Sequence, residues 1–208
     1  MGTNRARIDK SIENILKGKN IEEAKLHLPE ITSTIKTGFI EKEISEQVYQ
    51  SIIGVVSGKL SKIYDLDEDK CKEITSDFIK REQWINEIME LVEQDNVTGI
   101  SDVLLKALKI ALGETVKAEQ NETYFVEKLL YEIIFLSLEN TMQGALETLE
   151  EGITIPQIRK EFIKPLADKL FEEDIKTEIP ALVLGKTTLA VINNKIADKL
   201  KILVAFNE

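Results

Sequence analysis

The 208-residue chain contains one cysteine, one histidine, one tryptophan and four prolines. Each shortage excludes something. A lone Cys71 rules out an intrachain disulfide, and a thiol-reducing compartment is the simpler setting for it. On a helix seam Cys71 reads as a small core residue rather than a nucleophile. His27 is the single imidazole, so any histidine-based catalytic pair must be built on it. It sits at a helix end beside Leu28-Pro29, where a positive charge is favoured by the helix dipole. A zinc ion would find His27, Cys71 and carboxylates, without the spacing that zinc sites use. The Glu-x-x-His units of a di-iron bundle do not occur. The expectation is therefore no metal site and no cofactor.

Arginine is also scarce. Of 27 basic residues, only Arg5, Arg7, Arg81 and Arg159 are arginine. Arginine is the usual bidentate reader of phosphates and guanine edges, so direct nucleic-acid binding is disfavoured, even though residues 1–19 are basic. Charge of one sign dominates: the net charge is −10. Residues 65–102 carry twelve Asp or Glu against four Lys or Arg, a local net of −8. The N-terminus lacks the apolar core of a signal peptide. The longest apolar stretch, Tyr124–Leu138, includes Glu127, Lys128 and Glu132 and is too short to cross a bilayer. The expectation is a soluble, cytoplasmic protein with no membrane contact.

What the chain does have is enough apolar residue content, 43%, for a real core. Its densest stretch runs from Tyr124 to Glu150. Phe125, Val126, Leu129, Leu130, Ile133, Ile134, Leu136 and Leu138 cover most of a helix circumference, leaving Lys128, Glu132 and Glu139 as a polar edge. A helix apolar nearly all round must be surrounded by others. The second half of this stretch narrows to a single stripe through Leu138, Met142, Ala145, Leu146 and Leu149, and Gly152 stops it.

Other elements follow from periodicity and caps. Asp9–Lys17 is a short helix closed by Gly18. Asn20 with Glu23 reads as a capping box. Glu30–Lys36 forms a brief helix. Phe39 to about Tyr64 reads as one long helix, on which Gly54 and Gly58 allow close backbone approach or mark a weak, curved region. From about Asp69 to Gln94 a second long helix carries the seam Cys71, Ile74, Phe78, Ile85, Ile88 and Val92, with Arg81 where an apolar residue is expected. Asn96–Ser101 is a loop, and Ser101 or Asp102 caps the next helix. Pro156 suits a first turn, and Pro165 kinks or splits the helix that Pro156 starts. Thr187–Phe206 reads as helix. Ile202–Phe206 is alternatively a short strand paired with Ala181–Leu184. The fold class is all-α: an irregular orthogonal bundle of about seven to nine helices around a buried central helix at about 122–150, with a candidate minor β element at the C-terminus. We read residues 1–208 as a single helical domain, with a candidate subdomain boundary near 95–101.

Two fragments imitate known sites. Gly185-Lys186-Thr187 matches the end of a phosphate-binding loop, but Pro180 stands where the first glycine belongs. Asp65, Asp67 and Asp69 imitate the start of a calcium loop, but Lys70 and Ser76 occupy its glycine and glutamate positions. An acidic helix start is the simpler account.

Two features carry sharper expectations. Glu127 falls inside the apolar arc near Tyr124 and Tyr131. It is either a partly buried carboxylate able to hold a cation or act as a base, or a solvated acid in the first turns of its helix. Trp84 lies off the seam and shares a face with Glu73, Asp77, Lys80 and Glu87. It is either an interface anchor rimmed by acids or a core-edge residue with Lys80 over its ring.

No motif specifies a reaction. The leading expectation is a non-enzymatic interaction module, such as an adaptor, an inhibitor or immunity-type protein, or a regulatory subunit. It would use its acidic surface to meet another protein with a basic surface. A homo-oligomer is a further candidate assembly. The alternatives are a bundle enclosing a small apolar ligand and an enzyme that works through carboxylates alone.

Overall fold

A computed structural model describes residues 10, 12–27, 30–31, 39–66, 68–95, 100–118, 120–146, 149 and 153–205. The chain is an all-α, multi-helix bundle, and no strand occurs among the described residues. In chain order the helices are α1 (Ile21–Leu26), α2 (Phe39–Glu43), α3 (Glu46–Tyr64), α4 (Glu68–Ser76), α5 (Phe78–Asp95), α6 (Asp102–Lys117), α7 (Glu122–Leu146), α8 (Ile155–Ile158), α9 (Lys164–Leu170), α10 (Glu173–Lys176), α11 (Ile179–Val183) and α12 (Leu189–Ala205). Residues 12–16 are also helical, and Gly18 follows them with a φ of +70°, the left-handed closure expected of it. The remainder of the Glu30–Lys36 segment beyond Ile31, the loop at 96–99 and the stop at Gly152 lie outside the described residues.

Contacts divide the chain into two compact units. One comprises residues 40–133 and 176–190; the other comprises residues 1–39, 134–175 and 191–208. Helix α7 contributes residues 122–133 to the first and 134–146 to the second. As its composition requires, Phe125, Val126, Leu129, Leu130, Ile133, Ile134, Leu138 and Met142 are all fully buried.

Within the first unit, α5 packs against α3, α4 and α6, and α4 also touches α6. The α3 seam is Tyr49, Ile52, Val56, Leu60 and Ile63, a regular 3-4 spacing. Gly54 and Gly58 face outward, and a Cβ at either would meet nothing within 4 Å. The close-approach expectation fails there. These glycines weaken α3 by about 1 kcal/mol each relative to alanine.

In the second unit, Asn20 and Glu23 form the expected capping box on α1. Thr154 and Gln157 form another on α8, with Pro156 in its first turn. Pro165 cannot donate a backbone N–H. The chain meets this with a π turn at Arg159–Ile163, closed by the Lys164 N–H donating to the Arg159 carbonyl five residues back. The Arg159 guanidinium forks onto Glu139 at 2.5 and 3.0 Å, and this hydrogen bonding pushes its pKa up.

Three expectations are corrected. The long helix from Phe39 breaks at Ser45, whose hydroxyl accepts the Val48 N–H and caps α3. The helix through Cys71 and Phe78 breaks at Asp77, between α4 and α5. The β alternative also fails: Ala181–Val183 lie in α11 and Ile202–Ala205 in α12. The Gly185-Lys186-Thr187 fragment is the end of α11. Gly185, with a φ of +66°, donates to the Leu182 carbonyl, and the Lys186 N–H donates to the Ala181 carbonyl. This is the glycine-dependent closure of a helix C-terminus, not a phosphate loop.

Candidate interaction surface

The break at Asp77 decides what the acidic segment exposes. Thr75 and Ser76 turn their hydroxyls back onto the Lys72 carbonyl, at 3.3 and 2.5 Å. Asp77 Oδ1 accepts the N–H groups of Ile79 (2.8 Å) and Lys80 (3.2 Å). Three short polar side chains in succession thus offer the backbone an alternative to helix, ending α4 and starting α5. Arg81, placed where an apolar residue was expected, closes the corner by donating from Nη1 to the Thr75 carbonyl at 2.6 Å.

Beyond the corner Ile85, Ile88 and Val92 keep the expected seam, and the difference lies at Phe78 and Trp84. The buried residues of α5 are Trp84, Ile85, Ile88 and Val92. Trp84 is only 9% exposed, so the surface-anchor role gives way to the core one. Its expected cation partner is elsewhere, since Lys80 pairs with Glu73. Phe78, expected in the seam, is instead 65% exposed, and Ile79 beside it is 66% exposed. The Arg81 guanidinium lies over the Phe78 ring, 5.8 Å from its centroid.

The remaining expected surface residues do structural work. Glu73 and Lys80 form an ion pair with each other, and Asp77 is the α5 cap. Glu87 is exposed but reaches Lys59 of α3 at 3.4 Å. Glu82 pairs with Lys109 of α6 at 3.0 Å.

Two groups along α5 have no such duty. Ile79, Gln83, Asn86, Glu90 and Glu93 are all exposed, and they fall within about 40° of Ile79 around a 3.6-residue helix. They form one outward stripe that is apolar at its start, amide in its middle and acidic at its end. In addition, the last turn of α5 has no basic residue. Among the described residues Glu90, Glu93 and Asp95 have no ion-pair partner. Acids here oppose the negative end of the helix dipole. The sequence signal for this stretch is an acid run at a helix C-terminus without Lys or Arg. The signal for exposed Phe78 is the Thr75-Ser76-Asp77 cluster just before it.

Elsewhere the titratable groups are internally managed. Glu127 is 35% exposed in its side chain and lies 3.6 Å from Lys176, a paired carboxylate rather than an isolated one. Glu132, read from sequence as polar edge, is the perturbed acid of α7. Burial raises its pKa, Lys128 opposes that, and Glu114 adds to it. Tyr49 is buried, with its hydroxyl pKa raised by burial first and then by Glu122 and Glu46. Glu46 is engaged by α12, accepting the Leu189 N–H at 3.1 Å. His27 ends α1, with Nδ1 3.0 Å from Glu30. Cys71 is half-buried. Among the described residues no group of three or more His, Cys, Asp or Glu is disposed to hold a metal ion, and no helix is long and apolar enough to cross a membrane.

Comparison of the chain with protein-family models, with curated proteins and with solved structures found no match.

Proposed function

We propose that the chain is a non-enzymatic protein-interaction module, such as an adaptor, an inhibitor or a regulatory subunit. In this proposal it presents the acidic outward face of α5 to a partner with a basic surface. The observation that carries this is the end of α5: Glu90, Glu93 and Asp95 are exposed there without an ion-pair partner among the described residues. Such placement costs the helix a few tenths of a kcal/mol to about 1 kcal/mol per charge. A local rule broken without compensation inside the fold points to a use outside it. A single-sign acidic patch speeds encounter with basic partners and repels wrong ones. The same charge disfavours a homo-oligomer through this face, and disfavours nucleic acid. Cys71 fits a thiol-reducing, cytoplasmic setting. The carboxylate-enzyme alternative loses its first suspect, because Glu127 faces Lys176.

The test compares two immobilised baits in native extract, the wild type and the Glu90→Lys, Glu93→Lys variant, with captured proteins identified by mass spectrometry. A basic protein should be retained by the first, eluted by salt and lost from the second. Identical capture by both baits contradicts the proposal.

A further inference from the structure

The exposed stripe of α5 has a shape as well as a charge. From Ile79 to Glu93 it runs about 21 Å at 1.5 Å per residue, within a wider exposed face that also carries Glu87, Leu91 and Gln94. Its apolar end is held in place. The Asp77 cap, the Arg81 bond to Thr75 and the Arg81–Phe78 stack fix the corner that displays Phe78 and Ile79. A preorganised anchor loses little freedom on binding. Isolated exposed apolar side chains are ordinary. Two adjacent ones on a rigid corner are not, with Ile79 in line with the unpaired acids and Phe78 about 100° round the helix from it.

Charge complementarity selects the occupant. A second copy of this chain, net −10, would set acids against acids, and nucleic acid or an anionic membrane is repelled likewise. A straight line of side chains along one helix is covered along its length by another helix packed against it. We propose that this stripe docks a basic amphipathic helix of a partner protein. Its apolar residues cover Ile79 and Phe78, and its Lys or Arg residues meet Glu90 and Glu93. The middle of the stripe, Gln83 and Asn86, offers amides that donate or accept without a charge requirement. This inference rests on the interaction function proposed above and adds the form of the partner.

The probe is a synthetic, fluorescently labelled peptide of Leu and Lys at helical spacing, about fourteen residues long to match the stripe. A Leu and Glu peptide of the same pattern is its control. Binding to the full chain is followed by anisotropy at low and high salt, and peptide helicity by circular dichroism. The Leu–Lys peptide should bind and gain helix, and the Leu–Glu peptide should not. Replacing Phe78 and Ile79 together by Ser should weaken binding about tenfold or more, the equivalent of about 1.4 kcal/mol. Glu90→Lys with Glu93→Lys should do the same and flatten the salt dependence. Glu22→Lys with Glu30→Lys, an equal charge change off the stripe, should leave affinity intact. Salt-dependent binding indifferent to Phe78 and Ile79 overturns the helix-docking inference while leaving the acidic-surface function standing. Binding indifferent to Glu90 and Glu93 as well, or no binding, overturns both. Phe78 and Ile79 are exposed, so their variants keep the fold, and unchanged helix content of the chain verifies it.

Discussion

Helices α7 and α5 are both long, rich in apolar residues and marked with acids, yet they do opposite jobs. In α7 the apolar residues are buried over most of the circumference, with Tyr124, Tyr131, Phe135 and Leu136 partly exposed. Its acids are drawn into the fold: Glu127 sits by Lys176, Glu139 holds Arg159, and Glu132 is half-buried between Lys128 and Glu114. In α5 a single seam through Trp84, Ile85, Ile88 and Val92 meets the core, and the opposite stripe is left outward. Its acids near the C-terminal end have no ion-pair partner among the described residues. The lesson is that apolar density marks scaffold. In the proposed function, charges that the chain does not use for itself mark the surface it offers.

The difference can be broken most forcefully in the core. Phe125→Ala in α7 should lower stability by about 3–5 kcal/mol, and Trp84→Ala in α5 by a similar amount, because both truncate large buried side chains and leave cavities. Chemical denaturation measures both. A Trp84→Ala variant that unfolds like the wild type would return that residue to the surface and erase the contrast.

The acids give a second, pH-dependent contrast. A carboxyl whose folded pKa is raised is better protonated in the folded chain than in the unfolded one. The stability Glu132 contributes is therefore fully present below the ordinary carboxylate value and is lost as pH rises through its raised value. Glu132→Gln should raise the melting temperature at neutral pH, and the gain should vanish on acidification below pH of about 4. A gain that persists in acid would mean that burial of the charge is not its cause.

The smallest effect belongs to the exposed corner. Phe78→Ala and Ile79→Ala should each change stability by no more than about 0.5 kcal/mol. A loss like that of Trp84 would place them in a core.

Much of the architecture was legible in the residues. The buried α7, the Asn20–Glu23 box, the Ser101 cap and the Pro156 start all rest on local chemistry that packing has no reason to override. The breaks at Ser45 and Asp77 were not legible from periodicity, because apolar residues continue in near-helical spacing across each break. At Ser45 one hydroxyl caps the helix that follows, and at Asp77 the carboxylate does so after Thr75 and Ser76 have turned back onto the Lys72 carbonyl. Periodicity across Asp77 puts Phe78 inside and Trp84 at the edge; the seam at Ile85, Ile88 and Val92 holds, while Phe78, in the first turn after the break, is exposed and Trp84 is buried. Of the expected set, Glu73, Asp77, Lys80 and Glu87 serve contacts within the chain and Trp84 serves the core. Phe78, Ile79, Glu90 and Glu93 are exposed, and they are the residues the proposal assigns to a partner.

The central claim is that the end of α5 carries charges its own helix would be better without. The direct measurement is the thermal unfolding midpoint of the Glu93→Lys, Asp95→Lys variant at low salt. Cations at a helix C-terminus gain about 0.3–1 kcal/mol each, so the midpoint should rise, and the rise should shrink as salt is added. A midpoint that falls would show that these acids stabilise the fold, and the account of α5 as an outward-facing binding surface would be contradicted.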